Sequence, residues 1–172
     1  RSGAFPMQSL IREIYPTAVQ IAGRYEVQIA LDEYTRNIFI AGDMRTVAKM
    51  CERILAFTLS NCPKGKLWIR TDDNPERVPK GFVSLEFEDN AELPREILLS
   101  ELLHSANLSK SSHPRLRRGG GLLYKMVQLY MEKSGGQFRL CYGENKGFTV
   151  MLILPQVSRG EVERIKAGEI AP

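Results

Sequence analysis

Hydrophobic residues recur along this chain with two periods, and each change of period marks the boundary of a predicted helix or strand. From Ser9, a candidate N-cap, apolar residues at helical spacing predict a first helix that ends at Gly23. Pro16 predicts a kink or a restart in this helix, because an interior proline costs about 3 kcal/mol. Alternation of apolar and polar residues then predicts a half-buried strand at 27–31 and a short returning strand at 38–40.

A second helix is predicted to begin at Asp43 and to stop within the Asn-, Pro- and Gly-containing stretch 61–65. Its apolar face, which we expect to be buried, consists of Val47, Met50, Cys51, Ile54, Leu55 and Thr58. A strand beginning at Leu67 and an alternating strand at 83–87 follow, and the polar stretch 71–81 between them predicts a hairpin loop.

The rest of the chain predicts a short helical segment at 97–103, a loop without periodicity at 105–121, a helix at 121–134, and strands at 137–142 and 148–154. The helix at 121–134 places four apolar residues on one face: Leu122, Met126, Leu129 and Tyr130.

Three helices over a mixed sheet of about five strands predict an α/β fold of the two-layer sandwich type. A length of 172 residues suits one domain, to which we assign residues 7–155. Residues 1–6 are interpreted as a linker or cloning remnant and are excluded from the fold. Residues 156–172 form a C-terminal tail, in which Ser158 and Glu161 make a capping-box pattern ahead of a short helix. Such tails are more often solvated extensions than docking elements.

Composition narrows the class of protein. The chain is 43% apolar and 26% charged, as is ordinary for a soluble globular domain, and no run approaches the roughly 18 apolar residues of a membrane span. Three cysteines without metal-type spacing, Cys51, Cys62 and Cys141, indicate reduced thiols and a cytoplasmic protein. A net charge of +4 is too modest to argue for nucleic-acid binding.

Residues 118–155 read in order as a glycine loop, an amphipathic helix, a Gly-Gly turn and two strands. This order is one that wraps a polyphosphate, because a helix N-terminus presents unpaired N–H donors and glycines let the backbone approach a phosphate. The stretch matches, without gaps, the segment G-x-G-L-G-L-A-I-V-K-x-I-V-E-x-H-G-G of sensor histidine kinases, which continues into a hairpin ending in Leu-Pro. The matching residues are Gly119, Gly121, Leu122, Val127, Glu132, Gly135, Gly136, Gly147, Thr149, Leu154 and Pro155. Over roughly residues 7–155 the chain therefore resembles the catalytic and ATP-binding domain of a sensor histidine kinase.

The resemblance implies a magnesium ligand on the second helix, where the family has an asparagine. Counting back from Pro63 places Phe57 at this position, and a phenyl ring offers none of the oxygen ligands that Mg²⁺ requires. Asn61 lies on the same helix face, but its Cα is displaced by about 6 Å along the axis. Arg53 stands where the gyrase-like members of the wider family that includes histidine kinases carry a glutamate, which acts as the general base in ATP hydrolysis. An arginine at this position argues against that type of hydrolysis in this chain.

The resemblance also assigns an adenine-binding role to Asp89, although the segment 89–94 is one residue short and lacks the family's glycines. Asp89 could reach an adenine or could be a turn aspartate at a strand end, and both readings stay open. Gly119 and Gly121 remain as candidate phosphate-loop residues, but Leu123 replaces the next glycine and would crowd the phosphates. Four basic residues of the lid loop could hold phosphate or could form a solvated surface: Lys110, Arg115, Arg117 and Arg118.

These replacements predict a degenerate histidine kinase catalytic domain of two-component-type signalling, with weak or no Mg-ATP binding, that acts as a regulatory or partner-binding module. The alternative is an active divergent kinase domain, or the kinase-like domain of a histidine phosphotransferase. We expect no cofactor under the first hypothesis, and ATP with Mg²⁺ under the alternative. The expected partner is a protein, either a dimerisation and phosphoacceptor hairpin or a response-regulator-like protein, with a dimer in the intact protein. No contact with nucleic acid or membrane is expected.

Overall fold

A computed structural model of the chain describes residues 3–32, 37–91, 121–142 and 147–168. In these ranges, helices pack on an open mixed sheet as an α/β sandwich. The strands are β1 (Ala4–Pro6), β2 (Gln28–Leu31), β3 (Phe39–Ala41), β4 (Lys66–Asp72), β5 (Phe82–Asp89), β6 (Gln137–Tyr142) and β7 (Phe148–Val157). The helices are α1 (Met7–Tyr25), α2 (Met44–Ser60), α3 (Gly121–Lys133) and α4 (Arg159–Lys166).

The sheet has the strand order β1-β3-β7-β5-β4-β2, and β6 also pairs with β7. The β2–β4 pair is parallel and the other pairs are antiparallel, so the sheet is mixed, as predicted. It holds seven strands in the described ranges, against about five predicted. Excluding residues 1–6 from the fold is wrong for Ala4–Pro6, because this strand pairs with β3. A strand of three residues is too short to give a period-two signal.

Helix α1 differs from its prediction at three points. It begins after Pro6 and not at Ser9, and it continues through Pro16 without a restart. It ends at Tyr25, two residues beyond Gly23, and the C-cap residue Glu26 adopts a left-handed φ of 57° while its N–H bonds to the carbonyl of Ala22. The fully buried residues on either side of Pro16, Ile14 and Ala18, pack in the core, so tertiary packing overrides the local breaker signal.

Helix α2 follows its prediction closely. Asp43 is its N-cap residue, and the Thr46 hydroxyl donates to the Asp43 carboxylate at 2.7 Å. All the residues of the predicted face, Val47, Met50, Cys51, Ile54, Leu55 and Thr58, are buried. The helix lies in the main core between α1 and α3, and it contacts both.

The central strands β5 and β7 are buried on both faces. Polar residues of β5 that alternate with Val83, Leu85 and Phe87 are buried as well, and they have partners. Glu88 pairs with Arg70 at 2.7 Å, and the Glu86 carboxylate accepts from Ser84 at 2.9 Å.

Helix α3 has apolar residues on two opposite faces. Tyr124, Val127 and Met131 enter the core. The face chosen by sequence analysis is instead exposed at Leu122, Met126 and Leu129, and Tyr130 is half-buried at its margin.

The tail after Pro155 belongs to the fold in part. Strand β7 extends to Val157, and the predicted short helix is present as α4. The Ser158 hydroxyl accepts from the N–H of Glu161 at 3.1 Å, which confirms the predicted cap, and Val162 is buried. Among the described helices, none combines the length and apolar character needed to cross a membrane. The predicted helical segment 97–103 lies outside the described residues, as does the predicted loop 105–121 except for Gly121.

Candidate functional site

Phe57, which the resemblance places at the position of a magnesium ligand, packs against an aromatic residue of α3. Its ring meets the ring of Tyr124 edge-on, with centroids 5.8 Å apart and an interplanar angle of 84°. Tyr124 is fully buried, and its ring lies 5.9 Å from that of Phe138 on β6. Edge-to-face contacts of this kind are favourable because the positive ring edge meets the negative ring face. The three rings thus join α2, α3 and β6, and Phe57 is part of the hydrophobic packing.

Sequence analysis gave no role to Tyr124, the central ring of this cluster. Its position one residue after Leu123 was evident, but the contact with Phe57 joins two elements far apart in the sequence. The buried face of α3, with its spacing of three and four residues, is the signal that could have identified Tyr124.

Asn61, whose side chain carries an oxygen that Phe57 lacks, closes the end of α2. It is the C-cap residue, and its side-chain amide donates to the carbonyl of Phe57 at 2.8 Å. The Ser60 hydroxyl donates to the same carbonyl at 2.8 Å. Both side chains therefore satisfy a carbonyl at the helix terminus, where intrahelical donors are lacking.

Asp89 ends strand β5 and is completely buried. Its carboxylate accepts from the N–H of Ala91 at 3.0 Å, which is the turn role considered for it. Gly147 lies directly against it, since a Cβ at Gly147 would overlap both the Asp89 carboxylate and the Asp89 carbonyl. The next residue, Asn90, accepts from the N–H of Lys66 at 2.9 Å and so links the end of β5 to the start of β4.

The glycine loop of the resemblance is described only at its end. Gly121 is the first residue of α3, whereas Gly119 and the lid residues Lys110, Arg115, Arg117 and Arg118 lie outside the described residues. Leu123, which was expected to crowd the phosphates, is half-buried and packs against the core.

A groove of about 330 Å³ runs between α2 and α3, beside the aromatic cluster. We call it the α2–α3 groove; it is lined by Arg45, Thr46, Lys49, Met50, Arg53, Leu123, Met126, Val127 and Tyr130. One wall is therefore cationic and the other apolar. The Arg53 side chain, one turn before Phe57, belongs to the cationic wall.

Burial is the main cause of the raised pKa values of Tyr130 and Cys51, two groups near this groove. It raises the pKa of Tyr130, and the negative charge of Asp43 raises it further. Burial also raises the pKa of the Cys51 thiol strongly, with a smaller contribution from Glu52. Within the described ranges, no group of three or more His, Cys, Asp or Glu side chains is arranged to hold a metal ion.

Comparison with known proteins gives matches in structure alone. No protein-family model matches the chain, and no curated protein matches it in sequence. The catalytic domain of histidine kinase ThkA superposes with a TM-score of 0.66 at 14% identity, covering 91% of this chain and 97% of that domain. The mycobacterial sensor histidine kinase MprB gives 0.64 at 17% identity, covering 91% and 98%.

A further structure contains ThkA in complex with the response regulator protein TrrA. It superposes with a TM-score of 0.64 at 15% identity, and covers 91% of this chain and 42% of that one. The TM-scores of 0.64–0.66 establish a common fold, and identities of 14–17% leave the chemistry to be argued from the site. The chain has the fold of histidine kinase catalytic domains.

Proposed function

We propose that this chain is a degenerate histidine kinase catalytic domain of two-component-type signalling, with weak or no Mg-ATP binding, that acts as a regulatory or partner-binding module. The observation that carries the proposal is the packing of Phe57 against Tyr124, where the resemblance calls for a magnesium ligand. Magnesium is held by oxygen atoms in near-octahedral geometry, and an aromatic ring supplies none. Without this cation, the charge of the transferred phosphoryl group is not neutralised.

The neighbouring polar side chains favour the same proposal. The Asn61 side chain is held at the end of α2, where its Nδ2 donates to the carbonyl of Phe57. Arg53 offers a cation at a position where gyrase-like relatives use a general base, and an always-protonated guanidinium cannot accept a proton. The residues that the structure describes at the end of α2 therefore do not fit the magnesium ion of Mg-ATP, and we assign no cofactor to this site.

Asp89 keeps an active but divergent kinase domain as the second candidate. It is a buried carboxylate at the end of β5, the position that the resemblance assigns to adenine recognition. Its bond to the N–H of Ala91 is compatible with a structural role, since turn aspartates commonly accept such bonds. The other form of this alternative is the kinase-like domain of a histidine phosphotransferase, which would need no ATP at this site.

A protein partner fits the proposal best. The histidine kinase ThkA, which shares this fold, is known in complex with a response regulator. By analogy we propose a response-regulator-like protein, or a dimerisation and phosphoacceptor hairpin, as the partner in the cytoplasm. If the partner is a dimerisation hairpin of the same polypeptide, the intact protein is a dimer.

Calorimetric titration of ATP and ADP, each with and without Mg²⁺, tests the proposed function. We expect no heat of binding, or weak binding that does not depend on Mg²⁺. Micromolar, magnesium-dependent binding would favour the active kinase. In that event an Asp89→Asn variant serves as the control, because loss of binding in this variant would locate the nucleotide at the end of β5.

A further inference from the structure

Strand β2 ends the sheet, and one side of its backbone faces away from the other strands. It is the last strand of the order β1-β3-β7-β5-β4-β2, and its neighbour there is β4. The N–H groups of Gln28 and Asp32 bond to carbonyls on the β4 side at 3.0 and 2.9 Å. Because successive residues of a strand direct their backbone groups to opposite sides, the N–H and C=O groups of Ile29 and Leu31 point outwards. The part of the chain that the structure describes places no strand against this side.

Strand β2 lacks features that discourage pairing at two other outer strands of the sheet. Strand β1 ends in Pro6, which has no N–H to donate, and β6 carries the exposed Arg139 in its middle. The four residues of β2, Gln-Ile-Ala-Leu, include neither a proline nor a charged residue. The edge of β2 is therefore suited to pairing with a further strand.

A cavity of about 510 Å³ lies beside this edge, between α1 and the end of β2. We call it the α1–β2 cavity; it is lined by Ile11, Arg12, Tyr15, Pro16 and Leu31. Four of these five side chains are largely apolar, so the cavity suits an apolar side chain. Leu31 belongs both to the open edge and to the cavity wall. A strand added to β2 would therefore direct alternate side chains towards the cavity.

Arg12 gives the α1–β2 cavity a positive charge. Its side chain is exposed, and its Nε donates to the carbonyl of Gln8 on the same helix at 3.4 Å. Among the described residues, Arg12 takes part in no ion pair. Asp32, the acidic residue that follows β2, lies on the opposite face of the sheet from Leu31, because adjacent strand residues alternate. A carboxylate on a bound segment would therefore complement Arg12.

We infer that the edge of β2 docks an extended segment of a partner protein, which adds a strand to the sheet, places an apolar side chain in the α1–β2 cavity and brings a carboxylate to Arg12. The outward groups of Ile29 and Leu31 indicate the conformation of this segment, since another extended backbone matches their spacing. Backbone hydrogen bonds supply affinity in this mode of binding, and pockets for alternate side chains supply specificity.

The inference goes beyond the proposed function and does not depend on it. Helix α3, which forms one wall of the α2–α3 groove, packs against β6 and β7, and β7 is separated from β2 by β5 and β4. Docking at β2 uses none of the residues that line that groove. It is therefore expected whether or not the chain binds nucleotide.

Fluorescence anisotropy with a labelled synthetic peptide tests the inference. The probe is a peptide of about eight residues that alternates threonine with valine, leucine, glutamate and valine, so that one strand face presents the apolar residues and the carboxylate. We expect saturable binding that weakens with salt. Replacing the glutamate by lysine should weaken binding by about tenfold or more.

Two N-methylated forms of the peptide test whether it binds as a strand. Each form carries N-methyl groups on every second amide, and the two forms use the two alternate sets. A strand at an edge pairs through one set of amides only, so one form should lose binding and the other should keep it. Equal binding of the two forms, or equal loss, would overturn the inference.

Two variants of the chain test the proposed contacts, each with a matched control. Arg12→Glu should weaken binding about tenfold, whereas Lys80→Glu makes the same change of charge at an exposed position outside the cavity and should not. Ile29→Pro removes an outward N–H that β4 does not use, and Ile29→Ala keeps this N–H while shortening the side chain. The proline variant should bind about tenfold more weakly than the alanine variant.

Thermal unfolding shows which variants are folded, and if Ile29→Pro is not, the Arg12 pair and the N-methylated peptides decide. Three results would overturn the inference: no saturable binding of the peptide, equal binding by the Arg12→Glu and Lys80→Glu chains, and self-association that Ile29→Pro abolishes. The last would assign the edge to a second copy of the chain. The peptide titration contains no nucleotide, so its failure is distinguishable from failure of the proposed function.

Discussion

At the scale of single residues, Gly147 leaves no room for a side chain beside Asp89. A Cβ at Gly147 would overlap the carboxylate and the carbonyl of Asp89, and the carbonyl cannot move without shifting β5. We expect Gly147→Ala to lower the free energy of unfolding by about 1–3 kcal/mol, which is the usual cost of overpacking. Urea denaturation monitored by circular dichroism measures it.

Gly160 supplies the control for this substitution. It lies in α4, and a Cβ added to it would meet no atom within 4 Å. Gly160→Ala should therefore be neutral or stabilising by up to about 1 kcal/mol, because alanine has the higher helix propensity. Similar losses of stability in the two variants would show that the space at Gly147 does not decide the outcome.

The Cys51 thiol gives the stability a pH dependence of known sign. Burial raises the pKa of this thiol in the folded chain, whereas in the unfolded chain it ionises with a pKa of about 8.5. Above that pH the unfolded state loses a proton that the folded state keeps, so the free energy of unfolding should fall by up to about 1.4 kcal/mol per pH unit. Below it, this contribution is constant.

Denaturation curves between pH 7 and 10 check this prediction. The pKa values of Tyr130 and Cys141 are also raised, chiefly by burial, so the wild-type chain contains further groups acting in the same direction. Cys51→Ala removes one of them, and its stability should fall less steeply with pH. Parallel curves for the two chains would contradict the assignment to Cys51.

At the scale of elements, sequence patterns predicted the buried face of α2 correctly and chose the wrong face of α3 as the buried one. Helix α2 has one apolar face, so its period identifies the buried residues without ambiguity. Helix α3 has two apolar faces, and a period alone does not tell which of them meets the sheet. Around Pro16, local breaker signals were overridden by the burial of Ile14 and Ala18.

Helix α4 is short enough for its cap to decide its stability. The Ser158 hydroxyl accepts from the N–H of Glu161 at 3.1 Å, and Val162 is the buried residue of this helix. Ser158→Ala should reduce protection of α4 against hydrogen exchange by about 1 kcal/mol, while Ser158→Asp keeps a capping oxygen and should retain it. Equal protection in all three chains would show that the cap contributes nothing.

At the scale of the whole molecule, the sequence predicted the layered α/β architecture, whereas the replacement of a metal ligand by Phe57 stays a prediction. The motif around α3 matched the family in register, and the fold matches that of histidine kinase catalytic domains. The occupant of the space beside Phe57 was not predictable, because Tyr124 reaches it only after α2 and α3 have packed together. The α2–α3 groove could not be predicted from the sequence for the same reason, because its two walls come from helices that are far apart along the chain.

The aromatic cluster predicts that one substitution will not restore the nucleotide site. In Phe57→Asn the new amide would face the buried ring of Tyr124, with Leu123 still beside the groove. We expect this variant to bind no Mg-ATP by calorimetry and to lose about 2–4 kcal/mol of stability, from burial and ring contact combined. Phe57→Leu, the control, keeps an apolar side chain and should lose less. Tight binding of Mg-ATP by the single Phe57→Asn variant would show that the aromatic cluster is no obstacle. Binding only by the triple variant, which adds Leu123→Gly and Tyr124→Leu, would show that packing between α2 and α3 excludes the nucleotide.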